Sequence, residues 1–301
     1  MTFVSAKESI LAHSSNISCT FYTKKHRFSI GFALLLLLFP LLVVSLRHRS
    51  MTYALAEHIT AFSTERHCTE ATAPYDGFNI THYCGDEGEH VRRCREQLCE
   101  QLGIPTSRLI VPRQVHSVRI EEVTEQNLGG AFEETDALIT RLKGVCIGVS
   151  TADCVPLLMH DQRTDTIAAA HAGWRGTVAL IGVLTLKAMQ ETYGTKAEDV
   201  ACVIGPSIGP EAFEVGEEVY EAFAEAGFPM NDIAYRHPAT RKWHIDLWRA
   251  NAWQLTQVGV QEKAIQVSGL CTYAHYARFF SARRLGINSG RMFTGIMINE
   301  Q

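Results

Sequence analysis

A chain of 301 residues that is 46% hydrophobic and 20% charged has the composition of a globular protein with a core of its own, not of a disordered segment. Its formal net charge is −4; taking the six basic and one acidic residues of 1–50 from the totals of 28 and 32 leaves 22 against 31, a net of −9 for residues 51–301, which argues against a nucleic-acid partner. Nine cysteines, an odd number with no CxxC pair, argue against a disulfide framework or a zinc-finger module and fit a reducing cytosol.

In chain order, the first signal is the uncharged run FSIGFALLLLLFPLLVVSL, Phe28 to Leu46, flanked by Lys24, Lys25 and Arg27 before it and Arg47 and Arg49 after it. At roughly 20 apolar residues it is just long enough to span a bilayer. The RHRSM that follows is not a small-residue cleavage site. Residues 1–50 are therefore either an extension that anchors the chain in the inner membrane or sequence upstream of a true start at Met51. Residues 51–301 form the candidate catalytic domain in both readings.

After Met51, ITAFST reads as a strand, followed by a turn-rich stretch to Asp86. EGEHVRRCREQLCEQLG sets Val91, Cys94, Leu98 and Leu102 at helical spacing, with Gly103 placed to end the helix. RLIVPRQVHSVRIEEV is a strand pair interrupted around Pro112. DALIT, VCIGVST and the two halves of STADCVPLLMHDQRTDTIAAAHAGWRG are further strands. TVALIGVLTLKAMQETYG predicts a buried helix capped by Thr177 and ended by Gly194. DVACVIGPSIGP is a strand running into a turn, GEEVYEAFAEAG a short helix, and KWHIDL a strand leading to a helix through about Val258. AIQVSGLC, RFFSARR and RMFTGIMIN are the closing strands. Many strands with few helices, in no regular alternation, predict a single α+β domain with mixed sheets rather than a Rossmann fold. No G-x-G-x-x-G or P-loop pattern is present.

A catalytic zinc takes about three protein ligands and keeps a further position open. His116 in RQVHS, Cys154 in TADCVP and His171 in AHAGWRG each stand at the end of an apolar strand beside small residues. Taken singly, a cysteine in such a place is a packing residue and a histidine a hydrogen-bonded one. Asp153 is either a turn residue or the carboxylate that orients a ligand histidine. Arg66, Arg113, Arg175, Arg283, Arg284 and Arg291 are the arginines that could bind an anion. His160, before Asp161 at a turn, reads as a surface residue. His244 and His275 read as structural, Phe279 and Phe280 as core, and Trp174 as open to either role.

Taken together, RQVHS, DALIT, GVSTADCVPLL, AAAHAGWRGTV, IGPSIGP, FEVG, HIDL, CTY, FFSARR and GRM resemble the multicopper polyphenol oxidoreductases, or laccase-domain proteins. That family also includes bacterial purine nucleoside phosphorylases and the peptidoglycan editing factor. The resemblance runs from about His58 to Met297. It implies a four-layer α/β/β/α fold and a metal site made of His116, Cys154 and His171. The implied activities are phosphorolysis of adenosine, inosine and methylthioadenosine, and deamination of adenosine. Zinc is the implied cofactor, with copper as the alternative. Purine nucleoside and phosphate are then the partners, with Arg66, Asp153, Arg175 and Arg284 as candidates to bind them.

Two departures stand in the N-terminal part. FSTERHCTEA lacks the Gly-Gly pair the family carries after its arginine, and Cys94-Arg95 stands where the family has Asn-Arg. Three further readings remain beside the phosphorylase: an amidase editing peptidoglycan precursors, a copper-dependent phenol oxidase, and a membrane-tethered binding protein suggested only by Phe28–Leu46. A cytoplasmic location goes with the first, and membrane contact only with the last.

Overall fold

The computed structural model describes residues 50–300, which belong to one unit. The expectations for residues 28–46 lie outside them. Among the described residues no helix is long and apolar enough to cross a membrane.

The strands in chain order are β1 (Ser50–Tyr53), β2 (Ile59–Thr64), β3 (Leu109–Ile110), β4 (Ile120–Glu122), β5 (Ala137–Thr140), β6 (Cys146–Thr151) and β7 (Val155–Asp161). They continue with β8 (Thr166–Ala172), β9 (Val200–Ile204), β10 (Glu214–Val215), β11 (Ala234–Arg236), β12 (Trp243–Ile245), β13 (Ile265–Val267) and β14 (Met292–Ile298). One sheet runs β1-β2-β14-β6-β3, a second β13-β9-β7-β8-β5-β4, and a small third β10-β12-β11. Both large sheets are mixed: β3 is parallel to β6, β13 to β9 and β4 to β5, while the other pairs in them are antiparallel.

Alternation along β7 and β8 explains the layering. Leu157, Met159, Ala168 and Ala170 face one way and pack under helices, whereas Leu158, Ile167 and Ala169 face the other large sheet. The helices in chain order are α1 (Gly88–Leu102), α2 (Trp174–Val178), α3 (Ile181–Tyr193), α4 (Glu217–Glu225), α5 (Met230–Ile233), α6 (Leu247–Gln257) and α7 (Ala282–Leu285). Ile181, Leu186 and Met189 of α3 and Leu247, Ala250 and Leu255 of α6 cover the six-stranded sheet. Ala61, Ile147, Val149 and Ile296 of the five-stranded sheet meet its other face. Cys94, Leu98 and Cys99 of α1 close the outer side of the five-stranded sheet against Phe62, Phe293 and Met297. The order is helix, sheet, sheet, helix, as the resemblance implied.

Several elements differ from expectation. The helix read from Thr177 to Gly194 is two helices, broken at Leu180, whose φ is 61°. Thr177 does not cap it; its hydroxyl donates to the Ala172 carbonyl and accepts from Asn251 Nδ2, tying α2 to β8 and α6. RFFSARR is not a strand. Phe279 and Phe280 are buried in a loop, as core, and Ser281 starts α7 by accepting the amide of Arg284. His160 is not at the surface: it lies on β7, faces the other sheet with Leu158, and is fully buried.

Arg66 is also corrected. It follows β2 by two residues, is fully buried, and spends its guanidinium on backbone carbonyls. Nε donates to Asp76 at 2.9 Å, Nη1 to Ala71 at 2.8 Å and Tyr276 at 2.7 Å, and Nη2 to Glu70 and Ala73. An arginine has five N–H donors, and all are used, so none is left for a phosphate. Gly77, at φ 130°, lets the chain pass close by; a Cβ there would lie 2.1 Å from the Arg66 carbonyl oxygen. Arg66→Ala would leave these acceptors unpaired around a new cavity. We expect a stability loss of about 3 kcal/mol or more, read as a lowered Tm.

Candidate active site

β7 and β8 pair antiparallel with Val155 opposite Ala172 and Pro156 opposite His171, so Cys154, just before β7, and His171, near the end of β8, stand at the same end of one hairpin. His116 arrives from the loop between β3 and β4 with φ 63°, a left-handed conformation rare for a residue with a side chain. What holds it there is Asp136, the residue before β5. Its carboxylate accepts the amides of Val115 at 3.1 Å, His116 at 3.0 Å and Ser117 at 2.8 Å. The same carboxylate lies 2.8 Å from Nδ1 of His171. Occupying Nδ1 leaves Nε2 of His171 for the cluster. Cys154 Sγ is 3.7 Å from His116 Nε2, the two imidazoles stand edge to face at 4.7 Å, and one donor atom from each of the three residues falls within 4.8 Å of the others.

Charge follows from this arrangement. Burial pushes the Cys154 thiol up, but His171 and His116 outweigh it and bring it down from 9.0 to about 6. Burial pushes His171 down, but the Cys154 thiolate and Asp136 raise it from 6.5 to about 9. Burial pushes the Asp136 carboxyl up as well, and His171 with the surrounding amides holds it below the usual carboxylate range. Without metal, the thiolate and imidazolium therefore coexist between about pH 6 and pH 9. Thiolate forms as pH rises, so alkylation of Cys154 by iodoacetamide in metal-free protein should rise with a midpoint near pH 6 and then level off. An unpaired thiol would instead rise through pH 9.0. Peptide mass spectrometry of Cys154 across a pH series distinguishes the two.

The donor set fits a metal ion. One thiolate and two imidazoles make a three-ligand site, and a buried carboxylate fixes the second nitrogen of one ligand. Gly173 leaves room for it: a Cβ there would lie 3.0 Å from both Cys154 Sγ and His116 Cδ2.

The three residues line a cavity of about 590 Å³, within the range of small-molecule sites. Trp174, Phe213 and Ile287 give it apolar wall, and Arg283, Arg291 and Tyr83 polar wall. Of the other residues expected to bind substrate or an anion, Asp153, Arg283 and Arg291 are there. Arg66, Arg175 and Arg284 do not line the cavity: Arg175 lies over the Trp174 ring, and Arg284 over Tyr273 and Tyr276. Asp153, at φ 84°, does not orient a histidine. Its carboxylate accepts the Thr272 hydroxyl at 2.6 Å and the Arg283 amide at 2.7 Å, tying the Thr272 loop and the start of α7 to the residue before Cys154. His244 is buried away from the cavity, with Nδ1 2.8 Å from the Pro210 carbonyl, and His275 does not line the cavity either. Sequence reasoning missed Asp136 and Tyr83. The one signal for Asp136 was an acid directly before the apolar strand ALIT.

Residues 60–299 match the family model described as multi-copper polyphenol oxidoreductase laccase. The chain is 46% identical over 252 residues to a purine nucleoside phosphorylase of Bacteroides thetaiotaomicron, covering 81% of this chain and 93% of the relative. It is 44% identical over 247 residues to the adenosine deaminase RL5 of an unknown prokaryotic organism, covering 80% and 94%. Among solved structures it resembles the hypothetical protein YfiH of Bacillus licheniformis, with a TM-score of 0.79 at 25% identity over 85% of this chain and 98% of that one.

Proposed function

Because the chain belongs to the multi-copper polyphenol oxidoreductase laccase family, we propose that it is a zinc-dependent purine nucleoside phosphorylase with adenosine deaminase activity. Its substrates are adenosine, inosine and methylthioadenosine. The observation that carries this reading is the convergence of His116, Cys154 and His171 on the wall of a cavity large enough for a nucleoside. Zinc held by these three would supply a Lewis acid with a position open to water or substrate.

The chain's own groups do the rest. Trp174 and Phe213 offer aromatic wall to a purine. Arg283 and Arg291 supply the cations a phosphate needs, and the Asp153 bond to the Arg283 amide keeps that arginine in register with Cys154. Tyr83 stays protonated at neutral pH, since burial pushes its hydroxyl up to about 12. A cytoplasmic setting fits the eight described cysteines, all free.

Inosine incubated with and without inorganic phosphate tests the reading. Hypoxanthine and ribose 1-phosphate should appear together, and only with phosphate. Base release that ignores phosphate would make the protein a hydrolase; no release, with cleavage of a muramoyl-serine precursor instead, would make it the editing amidase.

A further inference from the structure

The β7–β8 hairpin carries the His116–Cys154–His171 cluster at one end, and a second set of donors converges at its turn. His160, the penultimate residue of β7, is fully buried. Asp165, the last residue of the turn, stands at φ 53°. Its Oδ1 lies 2.8 Å from Nε2 of His58 and 3.3 Å from Nε2 of His160. His58 comes from the turn between β1 and β2, where its carbonyl accepts the Asn299 amide at 2.8 Å. One donor atom from each of the three residues lies within 4.8 Å of the others. Nδ1 of His160 is buried without a partner, so the ring's polar reach is directed through Nε2 into this cluster.

We propose that His58, His160 and Asp165 bind a divalent transition-metal ion, at a site separate from His116, Cys154 and His171. Two imidazoles and one carboxylate are a donor set for first-row divalent ions, and they leave coordination positions free. Donor atoms that share one ion at about 2.0–2.2 Å each lie roughly 3 Å apart, as the two contacts to Asp165 do. The site is also held ready. Asp161 accepts the amides of Arg163 at 2.8 Å and Thr164 at 3.3 Å and the Thr164 hydroxyl at 2.5 Å, which fixes the turn that presents Asp165. Side-chain exposures of 34% for His58 and 39% for Asp165, over a fully buried His160, give a closed floor and an open mouth for the ion. An ion there joins the β1–β2 turn of one sheet to the β7–β8 turn of the other, so its binding energy adds to the stability of the stacked sheets.

Cobalt(II) titration of the metal-free full chain separates this site from the other, because of the two clusters only the one with Cys154 offers a thiolate for a thiolate-to-cobalt charge-transfer band. Wild-type protein should take up two equivalents. Cys154→Ala should keep one and lose the band; His58→Ala and Asp165→Asn should each keep one and retain the band. Cobalt should raise the Tm of Cys154→Ala but not of Cys154→Ala combined with His58→Ala. The proposal is overturned if His58→Ala and Asp165→Asn both bind as much cobalt as wild type, or if Cys154→Ala binds none. Either result leaves the cluster as a hydrogen-bonded staple. Both substituted residues are partly exposed, and the Tm of each variant without metal checks that it folds.

Discussion

Cys154→Ala is expected to cut inosine phosphorolysis by roughly 10²- to 10³-fold, the rate equivalent of about 3–4 kcal/mol of transition-state stabilisation. The thiolate is the only anionic donor in a set whose other members are imidazoles, so its loss removes one ligand and the charge that attracts the ion. Zinc retained by the His116–Cys154–His171 site should fall in step with activity, while the far-ultraviolet circular dichroism stays unchanged because Cys154 is not in the packed core. If the variant keeps wild-type turnover, the metal-dependent reading is wrong, whatever its zinc content.

Asp136→Asn should lower metal affinity by about 10- to 100-fold, the usual consequence of disturbing the group that orients a ligand histidine. The effect has two sources. The new amide group presents N–H where the carboxylate accepted the backbone amides of Val115, His116 and Ser117, and it also faces the Nδ1 side of His171. Removing the anion takes away one of the two influences that raise His171 against burial, so its pKa should fall from about 9. An NMR titration of the His171 ring in metal-free protein measures that fall directly. Isothermal titration of zinc measures the affinity. An unchanged affinity would reduce Asp136 to a loop anchor.

The strands ITAFST, VPLLMHD, TIAAAHA and RMFTGIMIN were legible because their apolar content and bounding turns persist in the fold. The helix of Val91, Cys94 and Leu98 was legible from its spacing. The cluster was legible only through motif resemblance, since periodicity says nothing about which strand ends meet. Asp136 was hidden because its partners come from residues 115–117 and 171, a relation only the sheet creates. His160 looked like turn chemistry because Asp161 follows it, and only the second sheet shows why it is buried. RFFSARR has the aromatic content of a strand, yet Phe279 and Phe280 pack as a loop, with Arg66 above the Phe280 ring at 5.0 Å. Arg66 itself looked like a substrate residue because nothing local predicts five carbonyls gathered from the loop around residues 70–76 and from Tyr276.

β14 is the last described strand and yet stands between β2 and β6, with Thr294 bonded to Ser63 across 231 positions of sequence. At a synthesis rate of about 5–20 residues per second, β2 leaves the ribosome roughly ten seconds or more before its partner exists. Until then the five-stranded sheet is split, and β2 and β6 both expose apolar edges to the cell. Arg283 and Arg291 reach the cavity wall in the same late stretch, so a nascent chain holds a metal-ligating thiol and histidines without a finished pocket around them. The cavity wall is therefore completed only after this late stretch has been made. The interval before it is when a chaperone has most to do for this protein.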